Sequence, residues 1–427
     1  MLGFQVYCSF VKSCILRVLF FPYRLVDSLL RPTWIEVDLD AVSYNVHRLK
    51  TFIGEKTHLM AVVKANAYGH GIIEIARTSL ASGASWLGVA TLEEALLLRH
   101  QLTKDAPILV LGYVPTQHLS LASRSKITVT GISLAWIKEA SRVVHEPINF
   151  HLKVDTGLNR IGCKTLDEVQ EVIEIVSNNT NLNLSGVFTH FATATDTINT
   201  TYFESQLTSF HEFLEIIPNR TEKLIHCANS GATLFHHDEV LFDMVRCGSA
   251  LTGLMKEPML EHLLPFPLKT AFAMHSTIDL IKKINVSEKI GYDGTYTTSE
   301  PEWIGTVPIG YADGWHQNVK PTGVLVDGKR FAIVGRIAMD QLMVRLDQYY
   351  PEGTRVTFIG QNGNETITVD DVASKANIST AEILCSFTIR MPRIYRSALS
   401  IVNSTASSIE RLPLLVTVLL FSLRFTS

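Results

Sequence analysis

Short apolar runs alternate with amphipathic stretches from residue 58 to about residue 267. A run of four to eight apolar residues bounded by turn signals is typical of a buried strand, and spacings of three to four are typical of helices. Strands that alternate with helices pair in parallel, so the pattern predicts a closed (β/α)8 TIM barrel, an α/β fold. The eight apolar runs cover residues 59–63, 86–90, 107–112, 127–131, 148–154, 184–189, 224–227 and 242–245.

The pattern changes after about residue 267, where alternation at period two appears in residues 273–283. Asp327-Gly328 is a hairpin turn signal between two apolar runs, and residues 354–359 read as another strand. We predict one short helix, over 370–375, in an otherwise mostly β domain that ends near Arg396. We also expect the strand around Trp34, which precedes the barrel, to join this domain. The predicted segments are an N-terminal extension over 1–32, the barrel over 33–267, the β domain over 268–397 and a C-terminal extension over 398–427.

Length and composition restrict the class of protein. A chain of 427 residues suits two domains, and 46% hydrophobic with 19% charged residues is typical of a folded globular protein. The formal net charge of −3 gives no basic surface for nucleic acid, so we predict no nucleic-acid partner. The six cysteines form no CxxC pair, which indicates reduced thiols in a cytoplasmic protein, and we predict no metal site.

Both ends of the chain are hydrophobic. Residues 1–26 contain no acidic residue, and 412–423 form a largely apolar run. Each uncharged piece is too short to cross a bilayer, and no A-x-A-like cleavage site follows the first. We expect both extensions to pack on the surface or to be poorly ordered; peripheral membrane contact is the alternative.

The segment 61–71, Ala-Val-Val-Lys-Ala-Asn-Ala-Tyr-Gly-His-Gly, brings a lysine to the end of a buried strand. Desolvation lowers the pKa of a buried amine, and the neutral amine is a nucleophile that forms a Schiff base with an aldehyde cofactor. The glycine-rich turn that follows would let the backbone approach a phosphate. Taken alone, these residues equally fit a strand whose lysine reaches solvent past a loop.

Polar residues also follow several other predicted strands. In a TIM barrel the catalytic groups lie at the C-terminal ends of the strands, so we expect these residues to share one site. They are Lys64, the segment from Lys153 to Arg160, His190, Asn229 with Ser230, and Arg246.

The complete string at 61–71 resembles the pyridoxal-phosphate lysine motif of the alanine racemase family. Further segments match that family in the same order, so that the resemblance covers about residues 33 to 397. The matching segments are KVDTGLNRIG at 153–162, THFA at 189–192, HCANSG at 226–231, MVRCGS at 244–249, GYDGTY at 291–296, WIGTVPIGYADG at 303–314 and GRIAMDQ at 335–341.

The resemblance implies a pyridoxal 5'-phosphate site in the barrel. Lys64 would be the Schiff-base residue, Arg246 the partner of the pyridine nitrogen, and Arg160 a contact of the cofactor phenolate and the substrate carboxylate. An arginine cannot donate a full proton to the ring, which suits racemisation and disfavours transamination. The implied cofactor-binding residues are Lys64, Tyr68, His190, Asn229, Ser230, Arg246, Gly248 and Ser249.

Inversion of a stereocentre by proton transfer on two faces needs a second base. The resemblance assigns that role to Tyr292, opposite Lys64. Because a phenol is a weak acid, such a base needs cationic or hydrogen-bonding neighbours. In the family the tyrosine and the Met-Asp segment enter the neighbouring subunit's barrel, which implies a head-to-tail homodimer with composite sites. Met339 and Tyr311 are the implied substrate contacts from this half of the chain.

The chain departs from the family pattern at two positions. Ala338 stands where members commonly have cysteine, and Ala381 where most have a tyrosine that reaches the phosphate and narrows the opening for substrate. A missing ring would admit side chains larger than methyl, with serine as the first extra substrate to test. In some members a lysine near Arg160 is carbamylated, and the sequence leaves this open, as it does the direction of physiological flux.

We therefore predict an alanine racemase that interconverts L- and D-alanine for peptidoglycan, with a small amino acid as substrate. A broad-specificity amino-acid racemase is the nearest alternative. Amino-acid decarboxylases with a similar barrel lack the Gly-Tyr-Ala-Asp-Gly motif present at 310–314. A non-enzymatic, single-barrel pyridoxal-phosphate carrier is a further alternative. The second domain argues against it, because a carrier needs no second base.

Overall fold

A computed structural model describes residues 29–102, 105–254 and 258–398. The two hydrophobic extensions fall almost wholly outside this part of the chain, so their predicted packing is not addressed by it. The described residues divide into two compact units. The barrel unit contains Glu36–Phe272, Thr368–Phe387 and the residues that follow Ile394; the β unit contains the residues up to Ile35, Ala273–Ile367 and Thr388–Ile394.

The barrel unit contains eight parallel strands in two four-stranded sheets. The strands of the first sheet follow one another in the order 108–110, 86–89, 58–62 and 244–247, and those of the second in the order 129–131, 148–153, 182–188 and 224–226. A parallel bridge between Leu109 and Thr128 joins one pair of sheet edges. At the other pair, the Asp243 N–H donates to the Ile225 carbonyl at 3.0 Å. This arrangement confirms the predicted TIM barrel. After β1 (Trp34–Asp38), the barrel strands are β2 His58–Val62, β3 Trp86–Val89, β4 Ile108–Val110, β5 Val129–Gly131, β6 Ile148–Lys153, β7 Leu182–Phe188, β8 Leu224–His226 and β9 Met244–Cys247.

Five helices of this unit begin at a polar side chain that caps the first turn. Thr91 and Glu94 form a reciprocal capping box, as do Thr165 and Glu168, so that orphan N–H groups of the first turn are satisfied. The helices are α1 Leu39–Ile53, α2 Lys64–Tyr68, α3 Ile72–Ala81, α4 Leu92–Gln101, α5 Leu119–Arg124, α6 Leu134–Val143, α7 Leu166–Ser177, α8 Thr201–Glu215, α9 Ser230–Phe235 and α10 His237–Val240.

Most strand pairs of the β unit are antiparallel. A seven-stranded sheet has the order β16-β15-β19-β10-β1-β21, with β20 beside β19, and a four-stranded sheet has the order β11-β14-β18-β17. Asp327 and Gly328 have positive φ values of 48° and 74°, as the tight turn between β15 and β16 requires. Its strands are β10 Phe272–Thr277, β11 Leu280–Ile284, β12 Lys289–Ile290, β13 Tyr296–Thr297, β14 Glu302–Val307, β15 Val324–Val326, β16 Lys329–Phe331, β17 Ile333–Val334, β18 Leu342–Leu346, β19 Arg355–Asn362, β20 Glu365–Ile367 and β21 Arg393–Arg396.

Two helices interrupt this second half of the chain, α11 (Val369–Ala376) and α12 (Thr380–Ser386). The sequence pattern predicts α11 but does not predict α12. Both belong to the barrel unit. They therefore return the chain to the barrel and bring Ala381 with it. Among the described residues, no helix is long and apolar enough to span a membrane.

Candidate active site

The turn after β2 is the most unusual piece of backbone in the barrel unit. Four consecutive non-glycine residues, Ala65 to Tyr68, have φ values between 52° and 55°. The left-handed conformation costs roughly 1–2 kcal/mol for each such residue, so neighbouring contacts must stabilise this turn. Glu94 Oε1 accepts from the Ala65 N–H at 2.6 Å, and Asn66 Oδ1 accepts from the Ile72 N–H at 2.9 Å. The turn carries Lys64 at its start and Tyr68 at its end.

Lys64 and Tyr68 both line a cavity of about 660 Å³ whose wall consists of barrel-unit residues. That volume lies in the range of small-molecule sites. The cavity brings together every site residue that the sequence predicts in the barrel. These are Lys64, Tyr68, Arg160, His190, Asn229, Ser230, Arg246, Gly248 and Ser249.

The pKa of Lys64 is lowered, chiefly by burial and next by the positive charge of Arg160. Glu94 and Cys385 act in the opposite direction, and Arg246 adds to the lowering. A lowered pKa increases the fraction of neutral amine at neutral pH. This shift favours the nucleophilic, proton-accepting form of the Lys64 amine, and the role of Lys64 stays a prediction.

Arg246 lies within β9, one residue before its end, and its side chain is buried at 3% exposure. Nη2 donates to the carbonyls of Thr189 and Cys227 at 2.9 and 3.0 Å and to His190 Nδ1 at 3.1 Å. Nη1 donates to His226 Nδ1 at 3.0 Å. Burial lowers the pKa of Arg246 to about 10, so it remains a cation at neutral pH.

Arginine donates hydrogen bonds and accepts none, so its contacts assign the tautomers of the histidines around it. His226 must accept at Nδ1 and therefore carries its hydrogen on Nε2. That nitrogen lies 2.9 Å from His151 Nδ1, which accepts in turn. Burial and the Arg246 cation lower the pKa of His226 and His190 well below the ordinary value, and that of His151 to about 3. All three are neutral at physiological pH.

The same reasoning gives His190 its hydrogen on Nε2, which faces Asn229 Nδ2 at 3.5 Å. The orientation of Asn229 is known, because its Oδ1 accepts from the Ala232 N–H at 2.9 Å as the cap of α9. Two N–H donors that meet in this way cannot satisfy each other. Asn229 Nδ2 also lies 3.5 Å from the Phe191 carbonyl, which can accept one of its hydrogens, and His190 and Asn229 both line the cavity.

A second cluster of donors lies around Gly248. Its N–H donates to Ser230 Oγ at 3.1 Å, and a Cβ built on Gly248 would come within 2.5 Å of Tyr68 Oη. Only glycine permits this close approach of backbone and phenol. Burial raises the pKa of Tyr68 to about 12, so its hydroxyl stays protonated and can donate. With Ser249, these groups form a donor-rich end of the cavity suited to an anion such as a phosphate.

Lys153 is a cavity residue that the sequence marks only as the start of a segment. It is 1% exposed, its Nζ donates to the Val154 carbonyl at 2.7 Å, and it lies 5.6 Å from the centre of the Phe188 ring. Burial and then Arg246 lower its pKa to about 7, although Asp155 acts in the opposite direction.

The wall of the cavity also includes Ser379, Thr380 and Ala381 of the segment that begins α12. Cys385, on the same helix, is exposed. Residue 381 therefore faces the predicted site, at the place where the sequence locates a departure from the family pattern.

The remaining predicted residues lie in the β unit and are exposed: Tyr292 at 69%, Tyr311 at 43% and Met339 at 52%. Tyr311 and Met339 belong to adjoining turns, since the N–H groups of Tyr311 and Ala312 donate to the carbonyls of Ala338 and Met339 at 3.1 and 3.0 Å. The cavity described above does not include these three residues, whose unit is separate from the barrel unit.

Sequence reasoning missed His151, Gln206 and the part played by His226. His226 lies inside a matched motif, but nothing in the motif shows that it contacts Arg246. His151 and Lys153 are two residues apart on β6, and that period-two spacing indicates that both face the same side of the sheet. This spacing could have identified His151 from the sequence. Gln206 lies on a helix, and no motif or spacing in the sequence identifies it.

Comparison with known proteins gives a consistent result. The family models for the alanine racemase N-terminal and C-terminal domains match residues 37–256 and 271–395. Alanine racemase of Geobacillus stearothermophilus is 48% identical over 367 residues, 86% of this chain and 94% of that protein. Alanine racemase 1 of Bacillus subtilis (strain 168) is 47% identical over 366 residues, 86% of this chain and 93% of that protein.

Solved structures give the same picture. Alanine racemase from Bacillus anthracis superposes with a TM-score of 0.83 at 39% identity, covering 87% of this chain and 96% of that one. Histidine racemase from Leuconostoc mesenteroides subsp. sake superposes with a TM-score of 0.80 at 33% identity, covering 87% and 99%.

Proposed function

The chain belongs to the alanine racemase family, and we propose from this that it interconverts L- and D-alanine with pyridoxal 5'-phosphate and supplies D-alanine for peptidoglycan. It is therefore an isomerase. The observation that carries the proposal is a single cavity in which a lysine of lowered pKa, a buried arginine and a donor-rich end lie together. Free buried thiols at Cys163, Cys227 and Cys247 support a cytoplasmic location.

The residues of the cavity fit the cofactor. Tyr68, Ser230, Gly248 and Ser249 would hold the phosphate, because close backbone approach and protonated hydroxyls supply donors to an anion. Lys64 would hold the aldehyde carbon. When bound, pyridoxal phosphate supplies an electron-withdrawing ring that stabilises negative charge at the Cα of an amino acid.

Arg246 would be the partner of the pyridine nitrogen and would limit how strongly the ring withdraws electrons. It stays protonated, and its hydrogen bonds to the neutral His226 and His190 hold its guanidinium in one orientation. A group that keeps its proton next to the ring nitrogen favours racemisation over transamination. Arg160, which lines the same cavity, would bind the carboxylate of the substrate through paired donors.

Lys64 and Tyr292 would be the two bases, each moving a proton at Cα from one face. Burial and the Arg160 cation lower the pKa of Lys64, which is the direction that favours a base at neutral pH. Tyr292 lies at the start of a turn and is 69% exposed, which supports its donation to a second copy of the chain. We therefore propose a head-to-tail homodimer in which Tyr292, Tyr311 and Met339 complete the partner's site.

A broad-specificity amino-acid racemase is the second candidate. Ala381 faces the cavity with a methyl group, so that wall leaves room for side chains larger than that of alanine. A histidine racemase shares the fold, which shows that this architecture can serve another amino acid.

The first test is incubation of the purified, cofactor-loaded protein with L-alanine and, separately, L-serine, followed by chiral separation over time. D-alanine must appear, and the Lys64→Ala variant must produce none. Comparable D-serine would establish the broad-specificity candidate. If the cofactor is bound but neither product appears, the proposed racemisation is wrong.

A further inference from the structure

Helix α8 (Thr201–Glu215) presents two polar side chains, Tyr202 and Gln206, to the loops that follow β6 and β7. Residues four apart lie on the same face of a helix, so the two act on the loops together. Gln206 is fully buried at 0% exposure. Buried side-chain amides normally have hydrogen-bond partners, because an unpaired polar group is costly to bury.

The amide of Gln206 joins the two loops. Its Oε1 accepts from the Ala192 N–H at 2.8 Å, while Nε2 lies within hydrogen-bond distance of the His190 carbonyl at 3.3 Å and of Thr156 Oγ1 at 3.4 Å. A backbone N–H only donates and a carbonyl only accepts, so these partners leave the amide one orientation. Thr156 belongs to the loop after β6, and His190 and Ala192 to the loop after β7.

Tyr202 holds the first loop by another route. Its hydroxyl donates to the Gly157 carbonyl at 2.7 Å. Gly157 has φ of 139°, and a Cβ built on it would lie 2.8 Å from Tyr202 Oη and 3.3 Å from Gln206 Cγ. The loop therefore rests directly on the α8 face, with no room for a side chain at this position.

These loops carry residues of the cavity. In the first, Asp155 Oδ1 accepts from the N–H groups of Gly157 and Asn159 at 3.2 and 2.9 Å, and Arg160 follows. The second carries His190. The loops also bond to each other through Thr156 and Thr189, whose hydroxyls are 2.8 Å apart.

We propose that Gln206 is a positioning residue that couples the loop carrying Arg160 to the loop carrying His190, with Tyr202 as its auxiliary. This rests on the proposed function, in which Arg160 binds the substrate carboxylate. Loss of the coupling lets Arg160 leave its binding position, so substrate binding weakens while the two bases are untouched. The effect falls on KM more than on kcat.

The test compares Gln206→Met with wild type, because methionine keeps the length of the side chain and removes all three hydrogen bonds. We expect KM for L-alanine to rise about tenfold, the order produced by an uncompensated hydrogen-bonding group, with kcat changed less than threefold. Tyr202→Phe should raise KM by a smaller factor. The control is Phe210→Leu. Phe210 is also buried on α8, and its ring packs edge-on against that of Phe242, with 5.6 Å between the ring centres. It takes no part in the hydrogen bonds that hold the two loops.

A second readout does not depend on racemisation. The amide hydrogens of Gly157 and Asn159, which donate to Asp155 and not to Gln206, should exchange faster in Gln206→Met than in wild type or Phe210→Leu. Hydrogen-exchange mass spectrometry on peptides that contain them measures this. An unchanged KM would overturn the coupling, and so would unchanged exchange or an equal rise of KM in Phe210→Leu. If the wild type racemises no amino acid, the proposed function fails, and the exchange result still decides the coupling.

Discussion

Nη1 of Arg246 lies 3.0 Å from Nδ1 of His226, and this one contact determines the protonation of a chain of groups in the barrel interior. Because the guanidinium can only donate, His226 is neutral with its hydrogen on Nε2, and it donates to His151. Protonation of His226 or His151 would place a donor against a donor. The cation is therefore surrounded by bases that cannot accept a proton without breaking the network.

The first prediction concerns stability and pH. Burial and the Arg246 cation hold the pKa of His151 near 3 and that of His226 well below its ordinary value, whereas an unfolded histidine titrates near about 6.5. Below that pH the unfolded chain binds protons that the folded chain does not bind, so the free energy of unfolding falls as pH falls. Each of these histidines should contribute a slope of up to about 1.4 kcal/mol per pH unit below about pH 6.

Urea unfolding at pH 7 and pH 5 measures this slope. The His151→Asn variant keeps an acceptor for the His226 N–H but removes one titrating group, so its stability should depend less steeply on pH than that of wild type. His47→Asn, on the exposed face of α1, is the matched control for a histidine-to-asparagine change outside the Arg246 network. The same slope in all three proteins would contradict the assigned protonation states.

The second prediction concerns Lys153, whose pKa burial and Arg246 lower to about 7. A neutral amine reacts with carbon dioxide to form an N–C bond and release a proton, giving a carbamate anion suited to the neighbouring Arg160 and Arg246 cations. We expect a carbamate signal in carbon-13 NMR of protein equilibrated with labelled bicarbonate at pH 8, and a weaker one at pH 6, where the amine is mostly protonated. The signal should be absent from Lys153→Gln; its persistence there would assign it to another amine.

The sequence predicts more of this site than of the backbone that supports it. Period-two and helical spacings locate the barrel strands, and residues after strand ends identify Lys64, His190 and Asn229 as neighbours. The predicted strand at 242–245 ends two residues before the observed strand Met244–Cys247. The observed strand includes the buried Arg246, and a hydropathy pattern places a charged residue at the surface. The residue types at positions 65 to 68 do not favour a left-handed backbone conformation. Tertiary contacts stabilise that conformation here, such as the hydrogen bond from the Ala65 N–H to Glu94.

The third prediction concerns the width of the cavity at Ala381. Replacing this methyl group by a phenol ring in Ala381→Tyr fills space along the wall that contains Thr380. We expect the ratio of kcat/KM for serine to that for alanine to fall roughly tenfold, since one excluded heavy atom discriminates by about 1–3 kcal/mol. Rates on both amino acids measure the ratio. Ala381→Ser, which adds little volume, should leave it within twofold, and an unchanged ratio in Ala381→Tyr would show that this wall does not select the side chain.

The fourth prediction separates the two proposed bases. Tyr292→Phe removes the phenol hydroxyl from an exposed turn of the β unit and leaves the cavity residues intact, so the cofactor absorbance should be retained. Racemisation should fall by at least about a hundredfold, the lower range for loss of a general base. Exchange of the Cα hydrogen in deuterated water should persist for one enantiomer, because Lys64 still moves the proton on its own face.

Tyr296→Phe is the matched control for that variant, because Tyr296 lies in the same segment and its hydroxyl donates to Glu302 at 2.7 Å. It should racemise alanine at a rate close to that of wild type. Chiral separation and proton NMR together measure both quantities for each variant. Undiminished racemisation by Tyr292→Phe would remove this residue from the mechanism. If Cα exchange were lost for both enantiomers with the cofactor still bound, Lys64 would be unable to move a proton without the phenol. The prediction that each base acts on its own face independently of the other would then be wrong.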